Sequence, residues 1–114
     1  MLLGSYIVEA ATLLPIGKLG KLDFIADAIS KGHAFEKHVV WKGEFRGVRT
    51  RSEFAEVIRS VISNAEKNGY VRQLERGRTA YWDNGVIVIH SPSAIDHGTA
   101  FVPDEGIRRF FTVR

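Results

Sequence analysis

A chain of 114 residues, 45% hydrophobic and 25% charged, has enough apolar material for one packed core and too little length for two. Sixteen Lys and Arg against thirteen Asp and Glu leave a formal charge of +3, which favours a polyanionic partner without requiring one. The absence of Cys excludes disulfides and thiolate metal sites together, so core packing must supply the stability, and refolding after passage across a membrane needs no redox chemistry.

Residues Met1 to Ile16 are apolar, but Glu9 and Pro15 interrupt them and the run is shorter than the roughly 20 residues that span a bilayer. No Lys or Arg precedes Lys18, so the charged start of a signal peptide is missing. Stable membrane insertion is not expected. Two readings stay open for residues 1–21: a hydrophobic helix or tail packed on the domain, or a connector to a larger delivery protein. Residues 22–114 then form the domain proper. The run GKLGK at 17–21 predicts a break, and LDFIADAISKG after it repeats apolar residues at helical spacing, which predicts a short helix ending near Gly32. HAFEKHVVW is compatible with further helix before Gly43 and Gly47 impose a loop. Thr50 and Glu53 have the spacing of a capping box, and Phe54, Val57, Ile58, Val61 and Ile62 draw one stripe behind it, which predicts a helix over 51–65.

From Tyr70 the period changes. YVRQLER, RTAYWD, GVIVIHS, GTAFV and IRRFFTV are short runs rich in β-branched and aromatic residues. Arg76-Gly77, the hairpin pair Asn84-Gly85, Ser91-Pro92-Ser93 and Pro103-Asp104-Glu105-Gly106 separate them as turns. Helices followed by strands predict an α+β domain, with N-terminal helices covering one face of a curved antiparallel sheet of four to five strands.

Three segments concentrate reactive side chains: KGHAFEKH at 31–38, GRTAYWD at 77–83 and DHGTAF at 96–101. In an ideal helix His33, Glu36 and Lys37 share a face, whereas His38 lies about 140° around from His33. The two histidines converge only if His33 sits outside the regular helix, which Gly32 permits. Four His without an i, i+4 pair give no zincin-like motif, and no metal or other cofactor is expected. Neither a nucleophile elbow nor a phosphate-binding glycine loop is present. RNA cleavage needs less: a base for the ribose 2′-OH, cations and a hydroxyl on the phosphate oxygens, and an acid for the leaving oxygen. In that scheme His33 leads as general acid/base, Arg78 and Lys37 hold the phosphate, and Thr99 donates to it from a strand edge. Arg46, with Lys42, Arg49 and Arg51, is placed to follow a phosphate backbone, and Tyr81 to stack on an unpaired base. Each has a structural alternative: solvated loop cations, a β-forming Thr, and a core Tyr.

The ordered strings GHAFEKHV, TRSEFAEVI, GRTAYWD, GVIVIHSP and GTAFVPDEG resemble tRNA-cleaving toxin domains of the colicin D and contact-dependent inhibition kind, within the superfamily that includes barnase, EndoU and RelE. The resemblance covers residues 31 to 111. It implies N-terminal helices on an antiparallel sheet and a metal-independent ribonuclease delivered from the cell surface or by secretion into target bacteria. It also implies a monomer when free, tRNA as substrate and a cognate acidic immunity protein. Carried over, catalytic roles fall on His33, His38, Arg78 and Thr99 and a substrate contact on Lys37; Tyr81, His97 and Arg46 are further substrate-contact candidates from the residues themselves. Such domains often carry Asp-Gly-Gly-Thr where this chain has Asp96-His97-Gly98-Thr99, so His97 is a departure. A non-catalytic RNA-binding module with the same basic face is the rival expectation.

Overall fold

The Thr50 hydroxyl accepts from the Glu53 amide at 3.1 Å while the Glu53 carboxylate accepts from the Thr50 amide, so the capping box forms as the spacing predicts. These bonds, led by one from the Arg49 amide, hold the Glu53 carboxyl below its ordinary range. The helix that follows, Arg51–Asn68, ends at Gly69 in the left-handed conformation (φ 83°). The computed structural model describes residues 16–114. Helix α1 is Ile16–Ser30, a π-helical turn spans Phe35–Trp41, and α2 is the capped helix. The strands are β1 Val71–Gln73, β2 Thr79–Asp83, β3 Val86–His90 and β4 Gly98–Phe101, and α3 Ile107–Thr112 closes the order.

All five residues of the α2 stripe are buried, with Phe54 packed edge-on against Phe45 at 5.1 Å. From α1, Ile25, Ala26 and Ile29 join them, and Tyr81, Val86, Val88 and Ala100 complete this core from the sheet. Arg51 fastens the end of α1 by donating to the Ser30 and Gly32 carbonyls at 2.8 and 3.2 Å, where the helix carbonyls lack partners. Buried Arg59 crosses from α2 to pair with Asp23 of α1.

The four strands lie in chain order, each antiparallel to the next. Asn84 and Gly85 both take positive φ (49° and 86°) in the β2–β3 hairpin, as a type I′ turn requires. The sheet is therefore an open meander whose free edges belong to β1 and β4. Side chains alternate between its faces, so Ala80, Ile87 and Ile89 point away from α2 and form a second cluster with Phe110 of α3.

Two segment expectations are corrected. The GKLGK run continues as helix and does not break. Two glycines weaken a helix by only about 1 kcal/mol each, which packing of the following turns against α2 outweighs. The run IRRFFTV forms α3 and adds no fifth strand. Only Phe110 in it is fully buried while Phe111 is 57% exposed, and Arg72 binds the Phe110 and Val113 carbonyls at the end of the helix. The N-terminal helices cover one sheet face as expected, and α3 packs on the other. Among the described residues no helix is long and apolar enough to cross a membrane. The apolar run up to residue 15 lies outside them.

Candidate functional site

Two glycines bring the end of α1 and the β3–β4 loop together beside the β4 edge. A Cβ on Gly32 would stand 2.6 Å from the Asp96 Cβ, so the chain after α1 passes the loop at a distance only glycine allows. Gly98 has φ 133°, and a Cβ there would stand 2.0 Å from the Ile89 carbonyl oxygen. Between them His97 takes φ 64°, the left-handed region where side chains are uncommon.

After Gly32 the chain winds again, but as a π-helical turn. The Lys42 amide reaches back five residues to the Lys37 carbonyl at 3.1 Å. The π-helical turn begins at Phe35, so the ideal-helix angle of about 140° between His33 and His38 does not carry through it. Together with Lys37, Asp96, Thr99 and Phe101, both histidines line one cleft of about 400 Å³ at the β4 edge. His33 and Lys37 are exposed, Thr99 is half-buried, and His38 is 7% exposed against the Phe101 ring at 5.7 Å.

His38 is held more firmly than any other candidate. Its Nδ1 lies 2.8 Å from Oε2 of Glu44. The other Glu44 oxygen accepts from the Val102 amide at 2.8 Å, and the Glu44 amide donates to the His38 carbonyl at 2.9 Å. Glu44 was not singled out in the sequence because no local spacing marks it: its partners come from the π turn and from the residue after β4.

The central cleft continues on both sides. Past His33 and Asp96 it opens into a cleft of about 560 Å³ that adds Lys31, Glu36, Arg51 and His97. Past His38 and Phe101 it opens into one of about 620 Å³ that adds Lys42, Glu44, Asp104, Glu105 and Arg109. The groove is mixed in sign, with carboxylates interleaved among its cations. Arg51 faces Glu36 at 3.6 Å and stacks over the Phe35 ring at 4.7 Å. Its bonds to α1 make it chiefly a structural clamp.

The remaining candidates lie elsewhere. Arg78 stands at the β1–β2 turn, donating to the Glu75 carbonyl at 3.1 Å and to the Arg114 carbonyl, and it lines none of the three clefts. Tyr81 is buried on the α2 side of the sheet, where burial, with Glu66 nearby, raises its phenol above the usual range. It serves the core. Arg46 is exposed in the loop before α2 and lines none of the clefts. His97 lines the flanking cleft and meets Phe24 edge-on at 5.8 Å. Close by at the end of β3, His90 is held below the usual imidazole range by burial first and then by His97 and Lys21. Among the described residues no group of three His, Cys, Asp or Glu is arranged to hold a metal ion.

Comparison with protein-family models, with curated proteins and with solved structures found no match to this chain.

Proposed function

We propose that this domain is a metal-independent endoribonuclease of the toxin type, cutting tRNA through the ribose 2′-OH. The observation that carries the reading is the convergence of His33, Lys37, His38 and Thr99 on one cleft from two separate parts of the chain. These residue types are the ones transesterification needs: two imidazoles for proton transfer, and a cation and a hydroxyl for the phosphate.

The buried, anchored imidazole of His38 takes the 2′-OH proton as O2′ attacks phosphorus. The Lys37 ammonium and the Thr99 hydroxyl stabilise charge on the non-bridging oxygens. The bond from phosphorus to O5′ breaks, and His33 in its protonated form supplies the proton to that oxygen. The products are a 2′,3′-cyclic phosphate and a free 5′-OH. This assigns the principal acid/base role to His38, not His33, and leaves Arg78 outside the reaction, with Lys37 as the phosphate cation. The clefts on either side give room for the neighbouring nucleotides. Delivery into target bacteria and a cognate acidic inhibitor that covers the groove belong to the same reading and rest on the sequence resemblance.

Incubation of the protein with total RNA in EDTA, followed by sequencing of fragment ends, tests the proposal. Sharp ends in one tRNA class carrying cyclic phosphate are expected, and a single 2′-deoxy sugar at the cut site should abolish cutting there. RNA that is bound but left intact would replace the enzyme with a non-catalytic RNA-binding module.

A further inference from the structure

We propose that Glu44 is a positioning residue, which fixes the tautomer of His38 and ties that imidazole to the strand bearing Thr99. The catalytic consequence rests on the ribonuclease reading above; the geometric part does not. A carboxylate oxygen accepts hydrogen bonds and has no proton to give, so the 2.8 Å contact of Glu44 Oε2 requires the proton of the neutral imidazole to sit on Nδ1. Nε2 is then left with its lone pair, the state a general base must have. The second carboxylate oxygen is engaged as well, by the Val102 amide at 2.8 Å immediately after β4. His38 and Thr99 stand on different elements, and Glu44 is the link that sets the imidazole against the strand. The His38 and Glu44 side chains are only 9% and 16% exposed, so water competes weakly for these bonds.

A purely structural role, pinning the 42–46 loop to β4, would require only that the space be filled and the Val102 amide satisfied. Glu44→Gln separates the two roles. Gln has one accepting oxygen and one donating nitrogen. If its oxygen keeps the Val102 amide, its nitrogen faces Nδ1 and can only donate, which moves the imidazole proton to Nε2 and removes the base. If it turns over, two donors face each other at Val102.

The test is nitrogen-15 NMR of His38 at about pH 8, where an ordinary imidazole is neutral, in the wild-type and Glu44→Gln proteins, together with cleavage kinetics on total tRNA. Expected in the wild type is a protonated Nδ1 and an unprotonated Nε2. In Glu44→Gln the pattern should reverse, with kcat reduced about 10²- to 10⁴-fold and KM little changed. A wild-type His38 protonated on Nε2 overturns the proposal, whatever the variant does. So does a folded Glu44→Gln protein with wild-type kcat. If the wild type cuts no RNA but shows the Nδ1 proton, the ribonuclease reading fails while the assignment of Glu44 to His38 stands. Should Glu44→Gln not fold, the wild-type spectrum alone still decides the tautomer.

Discussion

The stretch from Thr50 to Phe101 and the stretch from Lys31 to Glu44 are built on opposite terms. In the first, α2 and the sheet follow regular periods, with the apolar residues of the helix at three- and four-residue spacing and those of the strands at every second position. In the second, the helix is π-wound, the loop depends on a glycine close approach, and the most buried polar side chain is paired with a carboxylate from beyond the turn. The difference is a division of labour. Regular elements bury the apolar surface and make the scaffold stable, while the irregular segment brings His33, Lys37 and His38 to one edge of that scaffold. A regular helix through 33–38 would have kept the histidines apart.

The division predicts that chemistry and stability fail separately. His38→Ala should lower RNA cleavage about 10²- to 10⁴-fold while leaving tRNA binding in place. His33→Ala should also reduce cleavage, by a smaller factor, because an exposed acid is more readily replaced by solvent. Single-turnover kinetics beside a filter-binding assay check both. Equal or greater loss in His33→Ala would return the principal role to His33.

Phe54→Ala is the opposite case. It removes a fully buried ring that packs on both Phe35 and Phe45 and should cost about 3–5 kcal/mol of stability, read by urea unfolding. Activity per folded molecule should be unchanged. Gly98→Ala tests the junction between the regions, because it adds a Cβ against the Ile89 carbonyl at a φ that only glycine adopts comfortably. A loss of at least about 2 kcal/mol is expected from that strain and clash. A melting temperature equal to wild type would mean that the β3–β4 loop yields freely and that the close approach does not set the cleft.

The regular region was the one legible in the sequence. The capping box at Thr50 and Glu53, the α2 stripe, the Asn84-Gly85 hairpin and the four strands all follow from local rules, and each formed where those rules put it. The misreadings fall where tertiary contacts override propensity. Gly17 and Gly20 lie within a helix, and the aromatic run at 107–113 coils because one Phe finds a pocket on the second sheet face. The candidate site was legible as residue types and illegible as geometry. His33, Lys37 and Thr99 were named from their chemistry and His38 from the resemblance, and one cleft is lined by all four. The π turn has no sequence signature that would have predicted it. Glu44 stands after Gly43 in what reads as a solvated loop, so nothing local shows that its carboxylate is enclosed between a histidine and a strand. Arg78 was named as a phosphate cation and Tyr81 as a stacking ring, but Arg78 stands at the β1–β2 turn on the Glu75 and Arg114 carbonyls and Tyr81 is buried on β2, both away from the β4 edge.

Thr50→Ala sharpens the comparison at lower cost. It removes the hydroxyl that accepts the Glu53 amide and should reduce stability by about 1 kcal/mol with no change in cleavage, measured by thermal unfolding and the same kinetic assay. A change in cleavage rate would show that the start of α2 transmits to the cleft, through Arg51 and its bonds to the end of α1.

The smallest expected effect belongs to His97, a non-glycine residue in the left-handed region of the β3–β4 loop. The backbone there has φ 64°, so glycine relieves strain of about 1 kcal/mol or less. Against that, His97→Gly loses the edge contact with Phe24 and gains freedom in the unfolded chain, which cost a similar amount. Net stability at neutral pH should stay within about 0.5 kcal/mol of wild type. The clearer readout is His90. Its folded-state pKa lies below the ordinary value of 6.5, so the unfolded chain takes up the proton first, and this residue removes stability as pH falls through about 6.5 and below. His97→Gly deletes one of the two neighbours that hold that pKa down, leaving burial and Lys21. The His90 titration followed by NMR should therefore move upward toward 6.5, and the acid loss of stability assigned to His90 should shrink. A titration midpoint that stays in place, or moves down, would show that burial and Lys21 set the state of His90 and that the left-handed His97 does not act on it.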